Sequence, residues 1–571
     1  MKALEKEYDV IIIGAGMSGL TSAALLSKAG LQVCTLDKAQ HPGGYLQGFN
    51  RRGFRFDSAL HWLNQCGEEF GMVTSIFRFL GNDYPRVKYL NKIHRYKSKT
   101  VDYLLTSNPD ELRADLIKDF PHEEKGIRKF FAAAKKMGLA TKETSAYMRS
   151  AETMSFFERM KTGISRFKFV LPFIRYVWYP NEKVPQGLDL FFKDKELQKM
   201  FSSESDLLSC MIPIGWAYIN DYQVPPDGGS QVFPEWLVHY IRFFENEVYQ
   251  NTTVEEIITE NGKAVGVRAI RNKKEYNIKA KQIIAACDVD ILYRKLLPKN
   301  SVSNDFLQKL DDAILYESAV QLSIALDCPA EDLGFQEELV QLSEEGITRR
   351  EHSSSDPSKC AISVLVPSLR DKSLAPEGKG TLTLLVLAEI DHNNFWQTEK
   401  DADGNFVRTE AYYRYKEEYA NVIIARVEKM LCPNLKKHIE FMDVATPVTH
   451  LRYTANRNGS IMGARPGKEN IQAKIAHHRT VYENLYLSGH WADLGGGVPI
   501  AVKTAANAAL LVLQNENPEA FKVLAAYMDG KISSEEASKS KEYLDYDNSW
   551  VQKPTPAERL KRKLERKGNL S

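Results

Sequence analysis

Six residues, Gly14-Ala15-Gly16-Met17-Ser18-Gly19, stand between an apolar, β-branched run from Tyr8 to Ile13 and a helical stretch from Leu20 to Ala29. A second apolar run, Gln32 to Leu36, ends on Asp37, eighteen residues past the last of those glycines. The chemistry that these residue types can do at this spacing is the binding of a dinucleotide. Gly14 would make the tight turn out of the strand, Gly16 would let backbone approach a pyrophosphate, and Gly19 would let helix pack close on strand. The helix turns its positive end toward the phosphates, and Asp37 can accept both hydroxyls of a ribose. A lone glycine motif is weak evidence, because glycines also punctuate ordinary loops. Strand, helix, second strand and acid in one register make it specific.

The continuation favours FAD over a nicotinamide cofactor. Instead of more βα units, the chain goes to Pro42-Gly43-Gly44-Tyr45 and then to Gly53-Phe54-Arg55-Phe56-Asp57. A glycine pair soon after the ribose-binding acid lets backbone amides approach the rest of a longer cofactor. The segment HPGGYLQGFNRRGFRFDSALHW resembles the start of the phytoene desaturase, carotenoid isomerase and retinol saturase group of flavoproteins. In that group a PGG segment precedes a GxxFD segment, and in the retinol saturase branch a histidine follows, matched here by His61.

Three further blocks carry the same resemblance. Gly228-Gly229-Ser230-Gln231 opens an amphipathic helix, and Val254-Glu255-Glu256-Ile257 follows it in a hairpin turned at Asn261-Gly262. Asn-Gly between alternating strands is a strong hairpin signal; the resemblance implies that Val254 contacts the adenine. Ala445-Thr446-Pro447, with Arg452-Tyr453-Thr454 and Gly459, is similar to the group's return to the flavin. The closing block, Asn484-Leu485-Tyr486-Leu487-Ser488-Gly489-His490-Trp491 and then Gly495-Gly496-Gly497-Val498-Pro499, runs from a last strand through a glycine loop into a helix. Proline suits the first helical turn, and the resemblance places the positive helix end at the flavin's pyrimidine edge. One residue departs from the pattern: many related flavoproteins carry an acid after the glycine matching Gly489, and this chain has His490.

The candidate cofactor-binding set is thus Gly14, Ala15, Gly16, Ser18, Gly19, Asp37, Lys38, Gly43, Gly44, Tyr45, Val254, Gly489, Gly497 and Val498. The expected fold is α/β: a Rossmann-like FAD-binding domain of the glutathione reductase type, discontinuous, with an α+β substrate domain inserted. Its parts would be residues 1–70, 225–299 and 445–515, with a helix-rich region at 71–224, a mixed sheet at 300–444, and a polar linker plus basic helix at 516–571. Expected strands within the sheet are Ala319 to Leu326 and Thr381 to Glu389, followed by a helix around Tyr412 to Leu431.

A chain of 571 residues, 43% hydrophobic, can bury a large core in joined domains. A net charge of +2 argues against nucleic acid as the main partner. The seven cysteines are scattered, without CxxC or metal-ligand spacing, which fits a reducing compartment and predicts no metal. The polar start MKALEKEYD predicts no secretory leader, and no apolar stretch has the length of a membrane span. The expectation is a cytoplasmic protein attached peripherally to a membrane, with its oligomeric state open.

Lys161 to Tyr179 (KTGISRFKFVLPFIRYVWY) mixes four basic residues, no acid and eleven large apolar or aromatic side chains. It reads either as an anchor in an anionic lipid interface or as a helix pair buried in the substrate domain. Residues 533–554 read as a polar linker. Thr555-Pro556-Ala557-Glu558 is a capping box opening the basic helix ERLKRKLERK, read as solvated or as an electrostatic membrane contact.

No Ser-His-Asp set, metal site or nucleophile motif is present in the sequence. A flavin carries its own hydride chemistry, so the protein need supply only a dry tunnel, a positioned substrate and one proton donor or acceptor. His61, His490 and Tyr453 are the candidates for that last role, with structural hydrogen bonding as the competing reading of each. No second GxGxxG marks a nicotinamide domain, so electrons pass through the substrate itself, a quinone, or NAD(P)H sharing the flavin cleft. The resemblance implies an oxidoreductase working on carbon–carbon bonds of a long apolar polyene, with cis–trans isomerisation and a non-redox lipid escort as alternatives.

Overall fold

The computed structural model describes residues 4–59 and 62–568. The first elements are β1 (Glu7–Ile13), α1 (Met17–Lys28) and β2 (Val33–Leu36), as the alternation of apolar run, glycine turn and apolar helix requires. A hairpin of β3 (Lys92–Lys97) and β4 (Asp102–Thr106) follows, then the helices α2 (Glu124–Ser145), α3 (Phe156–Val170), α4 (Leu207–Tyr218) and α5 (Val232–Phe243). Next come β5 (Glu247–Tyr249), β6 (Thr252–Glu260), β7 (Lys263–Arg271) and β8 (Lys274–Ala285). The second half runs β9 (Ser318–Leu326), β10 (Leu339–Leu342), β11 (Ile362–Leu365), β12 (Gly380–Ala388), α6 (Glu410–Met430), β13 (Ile439–Ala445) and α7 (Pro447–Thr454). It closes with β14 (Leu485–Leu487), α8 (Gly497–Glu516), α9 (Pro518–Met528) and α10 (Pro556–Gly568).

Two seven-stranded sheets organise the molecule. In the first, β5, β2, β1, β8 and β14 lie parallel in that order. The long strand β8 does double duty: its first half pairs antiparallel with β7 of the β6–β7 hairpin, and its second half pairs with β1 and β14. All residues of α1 are buried, and α1 packs between the sheet, α5 and α8. This is the Rossmann-like, discontinuous α/β fold expected of the sequence. Helix α8 is the one helix among the described residues long and apolar enough to cross a membrane, and it is largely buried in this core.

The second sheet runs β13-β9-β12-β11-β10-β3-β4. Its side chains alternate between faces. Val340, Leu342, Ile362, Val364, Leu384 and Val386 pack against Tyr412, Tyr419, Ile423 and Val427 of α6. The intervening Leu339, Gln341, Ser363, Leu385 and Leu387 face a cavity.

The helix-rich region 71–224 is not confined to helices: β3 joins β10 in parallel, pairing Arg95 with Val340 and Tyr96 with Gln341, so this region and 300–444 share one sheet. The mixed charge of Lys92-Ile93-His94-Arg95-Tyr96-Lys97 masked the strand period. Residues 533–554 are not a free linker either. The Tyr543 ring meets Phe79 edge-on at 4.9 Å and its hydroxyl donates to the Ala520 carbonyl; Tyr546 lies 4.4 Å from Tyr240 and donates to Asp83. A polar average concealed these aromatic anchors, which strap the segment onto the cofactor domain. The fold also brings Asp327, Cys328 and His438 together where β9 ends and β13 begins, their ligand-capable atoms within 4.8 Å of one another. His438 Nδ1 meets Asp327 Oδ1 at 3.0 Å. The residues come from two segments far apart in sequence, so no spacing announced them. The capping box at Thr555 forms as read, with Thr555 and Glu558 exchanging hydrogen bonds.

Candidate active site

Strand register explains why distant motifs converge. Tyr249, Leu36, Ile13, Ala285 and Leu487 stand side by side across the first sheet, and each is the last residue of its strand. The residues that follow therefore emerge along one carboxyl edge, where open α/β sheets bind their ligands. Backbone bonds lock the row: Gly14 donates to Leu36 at 2.8 Å, Asp37 to Tyr249 at 3.0 Å, and Ser488 to Ala285 at 2.9 Å. The N-terminal and C-terminal motifs also meet through side chains. Ser18 and Ser488 share a hydrogen bond between their hydroxyls, and the Gly489 amide donates to Thr504 Oγ1 at 3.0 Å.

A cavity of about 1770 Å³ opens along this edge. Pockets for a single small ligand run about 300–1,000 Å³, so this one has room for a cofactor and a second molecule. Gly14, Gly16, Ser18, Asp37, Lys38, Gly43, Gly44, Tyr45, Val254, Gly489, Gly497 and Val498 all line it, as do His490 and Tyr453. Ala15 and Gly19 stand behind the wall: Ala15 is fully buried, and its amide donates to Asp37 Oδ2 at 2.5 Å. His61 lies outside the described residues.

The glycines separate into two roles. A Cβ at Gly19 would fall 1.9 Å from the Gly14 carbonyl oxygen, so this position serves the packing of α1 on the turn. A Cβ at Gly16 would meet no protein atom within 4 Å and would project into open space. That open approach is what a pyrophosphate needs. Gly16 caps the N-terminus of α1 and Gly496 that of α8, and both line the cavity, so two positive helix ends face it. One suits phosphates; the other suits the negative charge that a flavin ring gathers on reduction. An open glycine approach, a buried ribose-type acid and two helix N-termini along one cavity are a set that fits a dinucleotide such as FAD.

The electrostatics are those of a desolvated site. Asp37 accepts from the amides of Ala15 and Ala39, while burial raises its carboxyl above the usual range. Burial lowers the Lys38 ammonium. It also pushes His490 down to about 4, so its imidazole is neutral at pH 7. His490 thus stands ready as a neutral hydrogen-bonding group beside Gly489. Tyr453, at the end of α7, is 58% exposed and packs under Arg452, while Tyr45 is held inward, donating to the Ser460 carbonyl at 2.8 Å.

Two acids that sequence reasoning left without a role join the segments. Asp57 Oδ1 accepts from the amide and hydroxyl of Ser230, tying the GxxFD segment to the start of the second cofactor segment. Asp288, just past β8, accepts from the amides of Arg457 and Asp290 and from the indole of Trp491. Burial raises it to about 6. The signal available for Asp288 was its place beyond a strand's carboxyl end; nothing local distinguished it from a turn residue.

A family model described as an NAD(P)-binding Rossmann-like domain matches residues 12–80. The chain is 27% identical over 508 residues to the chloroplastic prolycopene isomerase of Daucus carota, covering 86% of this chain and 78% of that one. It is 24% identical over 570 residues to the all-trans-retinol 13,14-reductase of Danio rerio, covering 92% and 89%. The lycopene-forming phytoene desaturase of Pseudescherichia vulneris is 23% identical over 522 residues, covering 88% and 99%. The chain is thus similar over most of its length to a prolycopene isomerase, a retinol reductase and a phytoene desaturase. Among solved structures, a putrescine oxidase aligns with a TM-score of 0.55 at 14% identity over 89% of this chain and 99% of its own. An oxidoreductase from Methanosarcina mazei gives 0.52 at 16% over 87% and 98%. These share the fold. The similarity to these relatives covers 86–92% of the chain, far more than the glycine motif alone.

Proposed function

We propose that the protein is an FAD-dependent oxidoreductase acting on carbon–carbon double bonds of a long apolar polyene, retinoid or carotenoid in kind. The observation that carries this reading is one continuous cavity reaching from the glycine motifs to the leucine-bearing face of the second sheet. Bound along the first sheet, FAD would supply hydride donation or acceptance at its N5. The chain's own residues hold the rest. Asp37 takes the ribose end, Gly16 and Gly43-Gly44 admit the pyrophosphate, and the N-terminus of α8 faces the ring. Leu208, Ile212, Leu339, Leu385, Leu387 and Leu451 offer an apolar bed for the substrate. His490, kept neutral by burial, and Tyr453 line the same cavity and are the candidates to hold a hydrogen bond near the ring. NAD(P)H or a quinone would complete the electron balance when the substrate alone does not.

Similarity to prolycopene isomerase favours a second reading, cis–trans isomerisation with reduced flavin. One experiment separates the outcomes. The flavin-loaded protein is incubated anaerobically with retinoids and carotenoids, the flavin either oxidised or chemically reduced, and products are weighed. Gain of two hydrogens identifies a saturase, loss a desaturase, and unchanged mass with altered retention an isomerase. A colourless purified protein that binds lipid but not FAD would instead be an escort.

We further propose that the protein docks on an anionic membrane through α3 and the 3-10 turns at Leu171–Trp178. Burial in the substrate domain does not describe this segment. Phe156 and Phe157 are 68% and 77% exposed, and Ile164, Phe167, Leu171, Val177 and Trp178 are each more than half exposed. Tyr176 alone of its aromatics is fully turned inward, onto Phe191. Lys161 and Arg175 are exposed among them. Burying one aromatic in lipid contributes about 1.5–3 kcal/mol. Phe156→Ser with Phe157→Ser is therefore expected to weaken sedimentation with phosphatidylserine vesicles more than tenfold, leaving flavin content unchanged. Undiminished binding would remove the segment from the membrane contact.

A further inference from the structure

One end of the β9–β13 pairing carries three side chains that the flavin site does not use; none of them lines the cavity. The last paired residues there are Leu326 and Ile439, which sets Asp327 opposite His438, and the Asp327 amide donates to the His438 carbonyl at 3.1 Å. A bulge lies just inside that pair: Ala325 faces Phe441 and Leu326 faces Ile439, with Glu440 left over. Bulges at strand ends re-aim the side chains beside them. Cys328 comes next and is followed by Pro329 and the 3-10 turn Ala330–Leu333. His438 Nδ1 stands between the other two groups, 3.0 Å from Asp327 Oδ1 and 3.7 Å from Cys328 Sγ. Asp327 also acts on the thiol by charge and hydrogen bond, and Asp332 adds negative charge nearby.

An ordinary surface pair of Asp and His accounts for one of these contacts and needs no thiol; His122 and Asp194 form such a pair at 2.8 Å. Tetrahedral coordination accounts for all three. Metal–nitrogen and metal–oxygen bonds of about 2.0–2.1 Å and a metal–sulfur bond of about 2.3 Å place nitrogen and oxygen about 3.3 Å apart, and nitrogen and sulfur about 3.6 Å. The separations seen at His438 Nδ1 lie within about 0.3 Å of both values. Thiolate with imidazole favours a borderline-soft ion over magnesium or calcium, which take oxygen shells. The Asp327 and His438 side chains are half-exposed, which gives an ion its entry path and leaves the fourth position to water. We propose that Asp327, Cys328 and His438 bind one divalent ion of the zinc class, clipping the end of β9 to the start of β13. On binding, the thiol releases its proton to solvent, and sulfur, Nδ1 and a carboxylate oxygen each donate one electron pair to the metal.

The test reads metal directly. The flavin-loaded protein is stripped with a chelator, dialysed, and titrated with zinc against a chromophoric chelator. One tightly held ion per chain is expected, with magnesium and calcium unable to compete. Cobalt in its place should give the strong long-wavelength bands of a tetrahedral site, beyond the flavin's absorption. Cys328→Ser and His438→Ala should each weaken zinc more than about 100-fold, above the loss that an outer-shell partner brings, and Asp327→Asn about tenfold or more. His122→Ala should leave the affinity unchanged. Flavin content, which these substitutions should not alter, reports that each variant is folded. Zinc should slow amide hydrogen exchange at 326–334 and 436–439 in the parent and not in Cys328→Ser. A parent that holds no zinc overturns the site. Affinity indifferent to all three substitutions means an adventitious ion only and overturns it too, as does a weak octahedral cobalt spectrum or unchanged exchange at both strand ends. Should the variants fail to fold, the parent's cobalt spectrum and exchange pattern decide the matter.

Discussion

A Gly19→Val variant is expected to lose its bound flavin together with about 3 kcal/mol of stability, the upper range for forced overpacking. The reason lies in what the new side chain meets. The Cβ would stand 1.9 Å from the Gly14 oxygen and 3.0 Å from its carbonyl carbon, and 3.3 Å from the Ala286 side chain. Two of these are backbone atoms of the turn itself, so relief requires opening the turn that forms the cavity wall. Gly16→Ala is the matched control. Its methyl meets no protein atom within 4 Å, so the melting temperature of the flavin-free protein should be unchanged. The methyl nevertheless occupies the approach left for the pyrophosphate, so FAD affinity should drop about tenfold or more, or about 1.4 kcal/mol. Flavin absorbance per protein and melting with and without added FAD check both. A Gly16→Ala protein that holds FAD as tightly as the parent would remove the pyrophosphate from that position.

Asp288→Ala is expected to be nearly as damaging although it touches no glycine motif. It leaves the amides of Arg457 and Asp290 and the indole of Trp491 without their acceptor in a buried setting. Orphaned buried donors cost about 1–3 kcal/mol each, and a total loss of about 3 kcal/mol or more should appear in denaturant unfolding. The pH dependence has a definite sign. Burial lifts the folded carboxyl to about 6, above an unfolded value near 3.9. Between those values the folded state binds the extra proton, so this group's stabilising contribution is complete below about pH 4 and disappears as pH rises through about 6. Asp288→Asn cannot titrate. The stability of the parent minus that of Asp288→Asn should therefore decline by about 2 kcal/mol between pH 4 and 6, and by about 3 kcal/mol across the whole range from about pH 3 to 7. A difference independent of pH would show that Asp288 is ionised throughout and held by its three donors alone.

The cofactor half of the molecule was legible because its signals are local. Tyr8 to Ile13, the glycine turn and Asp37 lie within one βαβ unit, and the Asn261-Gly262 turn carries its own conformational signature: both residues have positive φ. The helix after the last glycine loop starts at Gly497, two residues before Pro499, a difference within the first turn. The substrate half was less legible because its order is set by pairing between distant segments. His94 reads as one residue in a charged hairpin until β3 is laid beside β10, when it joins the cavity face that carries Gln341. Asp288 acquires its three donors only when 457 and 491 have come back to the end of β8. The aromatic segment at 161–179 was read in two ways because periodicity alone does not say which face lacks a neighbour. Tyr543 and Tyr546 were overlooked because segment-averaged polarity hides single anchors.

The register of the first sheet also constrains the order in which the protein can be made. Ile13 stands beside Ala285, and Ala285 beside Leu487, so the row begun by the first strand is finished only by the last one. Helix α8, which presents its N-terminus to the cavity and packs on α1, comes after that strand. During synthesis the glycine turn at Gly14–Gly19 leaves the ribosome long before its partners exist, and pairings this distant in sequence form slowly. A nascent chain ending before residue 485 would hold half of a nucleotide site and an unpaired edge on β8. The carboxyl edge that lines the cavity is thereby completed late in biogenesis, once residues 485–516 have been made.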